Sequence, residues 1–277
     1  MPIEKLNGAK IYYQDQGKGF PIVLAHGLGG DHTMWVNQVA AFKDKYRVVV
    51  WDVRGHGKSE VTETGYSIEQ FAEDQYALMR HLGIERAHIG GLSMGGYIAW
   101  TFALAHPECT VSLILSDSAG YLTAIPKENS EENRKMFEAS AAIAEKKGRK
   151  PLVDVTLSLM FSQGFIKNHP EIVNVVRKRI EEDPGLGYAK AIRYVFLPRW
   201  DTPEEEIKKK LAKISVPTLV LVGELDVLTP LPTQKALAQA IPGARFEIIP
   251  NSGHVPIIEQ PEIWNRLVGD FIKNISV

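Results

Sequence analysis

Gly91-Leu92-Ser93-Met94-Gly95-Gly96 stands between Ala87–Gly90, a short apolar run of strand length, and a helical pattern that starts straight after Ser93 and runs to about His106, where Pro107 follows. A serine between a strand and a helix, with glycine two before and two after, has the form G-x-S-x-G. So tight a turn strains the serine backbone, and the glycines remove the side chains that would clash. The hydroxyl is then held out at a helix N-terminus, whose positive end favours the negative charge that develops in acyl transfer. A glycine-rich turn with an incidental serine would show the same letters, but the strand–turn–helix context favours a nucleophile at Ser93.

Outward from this turn, short apolar strands alternate with helical patterns. Toward the N-terminus lie Ile11–Tyr13, after an Asn7-Gly8 hairpin signal, then Pro21–Ala25 and Tyr46–Trp51, and a helix over Ser67–Leu82 that Gly83 stops. Toward the C-terminus lie the strands Val111–Ser116, Pro217–Val222 and Arg245–Ile249, with helices over Thr233–Ala240 and Glu262–Ile272. The strands are uniformly apolar rather than alternating, which predicts an α/β fold with a mostly parallel, doubly wound sheet covered on both faces. From about Gly120 to Pro203 no strand is evident, and helical patterns fill Glu131–Lys147, Leu152–Phe161, Glu171–Glu182 and Gly185–Phe196. The expected organisation is a core of residues 1–119 and 204–277, with a helical cap of residues 120–203 inserted after the strand ending near Ser116. The charged run from Glu204 to Lys210 reads as a solvated helix face with i,i+4 pairs.

A serine hydroxyl needs a base at neutral pH. Of eight histidines, His254 lies in Asn251-Ser252-Gly253-His254, a loop between the last strand and the terminal helix, at the sheet edge where ligands bind. His26 reads as structural, His81 and His106 suit helix C-termini, His88 falls in a strand, and His32 and His169 read as loop residues. The acid that would orient the base is Asp226 in Gly223-Glu224-Leu225-Asp226. Asp117, which follows the strand before the cap, and Glu224 remain rivals. Oxyanion donors are expected from the backbone N–H groups of Met94 and of Leu28, the latter in His26-Gly27-Leu28-Gly29-Gly30.

Other chemistries find little support. Gly27-x-Gly29 would need glycine at position 32 for a dinucleotide fingerprint, and His32 stands there. Gly57-Lys58-Ser59 would need glycine at 52 for a P-loop, and Asp52 stands there. No spacing suggests metal ligands, so neither metal nor cofactor is expected. Across 277 residues the formal net charge is −1, which gives no electrostatic case for nucleic acid or an anionic membrane. Apolar stretches are too short to span a bilayer, no basic-then-apolar leader opens the chain, and Cys109 is the single cysteine. A cytoplasmic protein with a small-molecule substrate is the expectation, and the oligomeric state stays open.

Taken together, His26–Gly30, Asp52-x-Arg54-Gly55-His56-Gly57-Lys58-Ser59, Gly91–Gly96, Gly223-x-x-Asp226 and Gly253-His254 resemble the α/β-hydrolase superfamily in content and order, over about residues 20 to 270 except the cap. Ser93…Asp226…His254 is the superfamily's triad order. The Gly-Leu-Ser-Met-Gly-Gly form is similar to that of 3-oxoadipate enol-lactonases, haloperoxidase-like esterases, capped carboxylesterases and carbon–carbon bond hydrolases. Haloalkane dehalogenases and epoxide hydrolases carry aspartate at the nucleophile, and dienelactone hydrolases cysteine, so Ser93 argues against them. The resemblance implies a hydrolase of a carboxylic ester with a short-to-medium apolar acyl group. The alternatives are a lactone or a carbon–carbon bond substrate, the last needing a basic group such as Arg193 or Arg199, or a ligand receptor on the same scaffold. It assigns the Asp52–Ser59 loop a structural place, with no catalytic part for Arg54 or His56. Met136, Phe137, Met160, Phe161, Phe165, Tyr188, Tyr194, Phe196 and Trp200 are candidates to line the pocket.

Overall fold

The computed structural model describes residues 2–118 and 127–276. Eight strands form one sheet in the order β1-β2-β4-β3-β5-β6-β7-β8: β1 (Ile3–Leu6), β2 (Ala9–Gln16), β3 (Pro21–Ala25), β4 (Arg47–Trp51), β5 (Ala87–Leu92), β6 (Thr110–Ser116), β7 (Thr218–Gly223) and β8 (Arg245–Ile249). The β1–β2 hairpin turns at Asn7 and Gly8, both at positive φ (46° and 79°), the geometry that matches the twist of flanking strands. β2 also pairs antiparallel with β4, and from β4 through β8 every pairing is parallel. β5, β6 and β7 are buried at every position, which is why their sequence is apolar without alternation.

Alternate residues of each strand serve opposite faces. Val23, Ala25, Val49 and Trp51 join one core with Phe71 and Leu78 of α2 (Ile68–His81) and Ile98 and Phe102 of α3 (Met94–Ala105). Ile22, Leu24, Val48 and Val50 join the other with Val39 and Phe42 of α1 (Val36–Phe42). There they meet Trp264, Val268 and Ile272, which lie on the helix over Pro261–Ile272. Ser67 caps α2 by accepting the Gln70 N–H at 3.0 Å, and Gly83 ends it at φ +65°.

Between β6 and β7 the described chain is helical: α4 (Lys127–Lys147), α5 (Val153–Met160), α6 (Gln163–Asn168), α7 (Pro170–Glu182), α8 (Leu186–Ala191), a π-helical turn over Ile192–Phe196 and α9 (Leu197–Arg199). The expected N-terminal junction of this insertion at Ala119 and Gly120 lies outside the described residues. After it come α10 (Glu204–Leu211), whose Lys208 and Lys210 pair with Glu204 and Glu206, α11 (Leu231–Ala240), α12 (Pro256–Glu259) and α13 (Pro261–Ile272). Among the described residues, no helix is long and apolar enough to cross a membrane.

Several short helical stretches, α12 among them, have no counterpart in the expectations. His32–Phe42 forms a 3-10 turn running into α1, and Gln163–Asn168 forms α6 with Ser162 as N-cap. Both are too short for a helical period to stand out. His32, expected in a loop, is 6% exposed, and its backbone N–H and Nδ1 both bond Asp52 Oδ1, at 2.6 and 2.7 Å.

Strand order explains where a site can form. β4 lies on one side of β3 and β5 on the other, so the chain reverses direction across the sheet at β3/β5. The loops leaving the C-terminal ends there diverge and open a crevice. Ala25 of β3 is in register with Gly91 of β5, which brings the loop after β3 beside Ser93.

Candidate active site

Ser93 has φ 54° and ψ −115°, a backbone that L-residues rarely adopt. A Cβ on Gly91 would overlap the Gly95 carbonyl, and one on Gly95 would overlap the carbonyl of Ala25. Both glycines are therefore needed for α3 to start this close to β3 and β5. Met94 is the first residue of α3. Among the described residues, neither its N–H nor that of Leu28 is engaged in a hydrogen bond. Gly27 lies so close to the turn that a Cβ there would be 3.3 Å from Ser93 Cβ.

His254 follows β8 and Asp226 follows β7. His254 Nδ1 is 2.9 Å from Asp226 Oδ2, and both residues are 5% exposed. That bond places the imidazole proton on Nδ1 and leaves Nε2 as the basic nitrogen. Asp226 also accepts from the N–H groups of Leu228 (2.8 Å) and Thr229 (3.0 Å) and from the Thr229 hydroxyl (2.5 Å). Burial opposes its ionisation, but His254 and the Thr229 bonds outweigh burial and hold the carboxyl below the usual range.

Asp117 lies at φ 47° just beyond β6, completely buried, accepting from Gly223 N–H and the Ser116 hydroxyl, each at 2.8 Å. Burial first, and then the charge of Asp226, push its carboxyl well above the usual range, toward the neutral form. It is Asp226, not Asp117, that bonds the imidazole. Glu224 instead accepts the Asn251 N–H at 3.0 Å on the surface.

Among the described residues, two groups of three ligand-capable residues come within 4.8 Å: Asp117, Asp226 and His254, and Asp31, His32 and Asp52. Sequence spacing shows neither, because each is assembled from separate loops. Each carboxylate in them already accepts protein N–H or O–H donors. Arg54 lies away from the site, paired with Asp74 at 2.8 Å, and His26 accepts the Val53 N–H on Nε2 at 2.9 Å.

Ser93, Leu28 and His254 open on a cavity of about 640 Å³ beneath the inserted helices. Met136, Phe137, Met160, Tyr188, Phe196 and Trp200 line it as expected. Three candidates do not. Phe161 and Phe165 turn into the core beneath α5, and Tyr194 is 58% exposed. The arginines at the cavity are Arg149 and Arg179, neither of them proposed from the sequence. Arg193 pairs with Glu145 on the surface, and Arg199 stacks over Tyr97 and Trp100 beside a separate cleft of about 770 Å³. Arg149, 2% exposed, donates to the Gly29 carbonyl at 2.6 Å and to Asp183 at 3.0 Å, tying the insertion to the loop that carries Leu28.

Buried histidines make stability depend on pH. Burial pushes His56 down to about 3 and His88 to about 4, and lowers His26 as well. In the unfolded chain each titrates near 6.5. Below that value the unfolded chain binds protons that the native state refuses. Stability is therefore full above pH ~6.5 and falls, as pH drops toward the folded values, by ~1.4 kcal/mol per unit for each histidine. Urea-unfolding free energies measured from pH 7 to pH 4.5 are expected to show this decline. His56→Asn, whose amide can keep the bond to the Arg54 carbonyl, is expected to flatten the slope by ~1.4 kcal/mol per unit. An unchanged slope would remove His56 from the account.

A family model described as the alpha/beta hydrolase fold matches residues 21–154, and one described as TAP-like protein matches residues 197–277. 3-Oxoadipate enol-lactonase 1 of Acinetobacter baylyi is 33% identical over 92% of this chain and 89% of its own length. An esterase of Thermogutta terrifontis superposes with a TM-score of 0.88 at 31% identity, covering 100% of both chains. The enol-lactonase of Burkholderia xenovorans superposes with a TM-score of 0.86 at 30% identity, over 99% of this chain and 100% of the other. Strand order, the strained serine turn and similarity along nearly the whole chain agree, and the protein belongs to the α/β-hydrolase fold family.

Proposed function

We propose that the protein hydrolyses carboxylic esters of short-to-medium apolar acyl groups through an acyl-enzyme, with Ser93 as nucleophile, His254 as general base and Asp226 as the acid that orients it. The observation that carries this is the 2.9 Å Asp226–His254 bond, set so that the basic nitrogen and the strained Ser93 serve one cavity. His254 takes the Ser93 proton as the oxygen attacks the ester carbonyl. The Leu28 and Met94 N–H groups receive the oxyanion, each contributing ~3–4 kcal/mol to the barrier reduction. His254 then protonates the leaving alcohol. A water deprotonated by His254 attacks the acyl-enzyme and frees the acid.

Residues 120–203 act in this reading as a cap that shapes the acyl pocket. The apolar character of Met136, Phe137, Phe196 and Trp200 favours an apolar acyl chain over a polyanion. A lactone is the second reading, favoured by the enol-lactonases among the similar proteins. In a lactone the leaving alcohol stays attached to the acyl group, and the same residues perform the same steps.

Hydrolysis of p-nitrophenyl esters from acetate to palmitate, run beside an apolar lactone, tests both. Turnover with an optimum at short or medium chains is expected. Inertness on every ester with turnover of the lactone transfers the assignment to the second reading, and inertness on both removes it.

A further inference from the structure

We propose that Glu259 is a positioning residue for His254: one buried carboxylate that binds the histidine loop and the α5–α6 junction of the insertion into a single body. This rests on the reading of His254 as the base. Glu259 is 7% exposed at the end of α12. Its Oε1 accepts the Gly253 N–H at 2.8 Å and the Ser252 hydroxyl at 3.5 Å, and its Oε2 accepts the Ser162 N–H at 3.0 Å. His254 N–H in turn donates to the Met160 carbonyl at 2.9 Å.

Packing leaves the loop no slack on either side. A Cβ on Gly253 would stand 2.8 Å from Ser162 N and 3.0 Å from both Glu259 Oε1 and Met160 O. From the opposite side, Leu225 N–H holds the Ser252 carbonyl at 2.8 Å. The backbone that carries the imidazole is therefore clamped between the end of β7 and the insertion. Burial raises the Glu259 carboxyl, while the bonds from Ser162 and Gly253 pull it back toward the ionised form. Only a carboxylate offers acceptors on both oxygens. A glutamine would turn its NH₂ toward one of the two N–H groups.

A misplacement of about 1 Å at a catalytic group costs on the order of 10²-fold in rate. Glu259→Gln is expected to lower kcat by about 10- to 100-fold with KM within about two-fold. The rate of Ser93 inactivation by a fluorophosphonate should fall by the same factor, because that reaction needs the Ser93–His254 geometry but no fit of the acyl chain. Circular dichroism melts identify the folded protein at assay temperature. A folded Glu259→Gln protein with kcat and inactivation rate within two-fold of wild type overturns the proposal.

If that variant does not fold, Ser162→Pro compared with Ser162→Ala decides. Ser162 has φ −63° and ψ 148°, and Phe161 is extended (φ −106°, ψ 147°), so proline fits the backbone there. Both variants lose the hydroxyl that caps α6, but only proline removes the N–H bound to Glu259. Ser162→Pro is expected to react at least five-fold more slowly than Ser162→Ala, and equal rates overturn the proposal. Wild type that is not labelled at Ser93 removes the functional reading itself. Labelled wild type matched by its variants removes only the inference about Glu259.

Discussion

Ser93→Ala is expected to lower kcat on the best p-nitrophenyl ester by about 10⁴-fold or more, with KM little changed. The substitution deletes one oxygen. The cavity of about 640 Å³, the Leu28 and Met94 N–H groups and the Asp226–His254 pair all remain. What persists is binding and oxyanion stabilisation, the part of acyl transfer that needs no nucleophile. Alanine carries the same Cβ as serine, so the strain at φ 54° persists and the melting temperature should stay close to wild type. Ser93→Gly separates strain from chemistry. It is expected to be equally inactive yet more stable by ~1 kcal/mol or more, because glycine adopts this backbone freely. Retention of a tenth or more of wild-type kcat by Ser93→Ala would exclude Ser93 as nucleophile.

Asp226→Asn and Asp117→Asn are expected to differ by about three orders of magnitude, although the two carboxylates lie side by side. Asp226 is the ionised member and holds Nδ1–H of His254. An asparagine there removes the charge that stabilises the imidazolium and can present an NH₂ that forces the wrong tautomer, a loss of about 10⁴ in kcat. Asp117 is the member whose carboxyl burial and the Asp226 charge push toward the neutral form, and asparagine resembles a protonated carboxyl. The amide oxygen can accept from Gly223 N–H, and the NH₂ stands where the acid's proton would be. Asparagine also tolerates the φ of 47°. Asp117→Asn is therefore expected to cost less than about 10-fold, a small perturbation beside the loss at Asp226. Steady-state kinetics of the two variants check this, and a larger loss for Asp117→Asn would reassign the acid.

The parts of the fold legible in the chain are those governed by local rules. Uniformly apolar strands predict a sheet covered on both faces, and the structure has one. Asn7-Gly8 predicts a hairpin, and both residues have positive φ. Gly91 and Gly95 around Ser93 predict a strained turn, and their Cα positions have no room for a Cβ. Short elements escape because one and a half turns of helix, as in α6, carry too little period to register.

Which residues meet is a different matter. The sequence by itself determines that a strained serine stands at a strand–helix turn, and that a histidine and several acids follow later strands. It does not determine which acid is charged. The protonation of Asp117 and Asp226 depends on burial and on their approach to each other, from positions more than 100 residues apart. The same holds for Arg149 at Gly29 and for Glu259 between Gly253 and Ser162. Hydrophobic period and the positive-φ demands of a turn act over a few neighbouring residues and are written in the chain. Electrostatic partnership acts through space, and only the packed sheet with its inserted helices decided it.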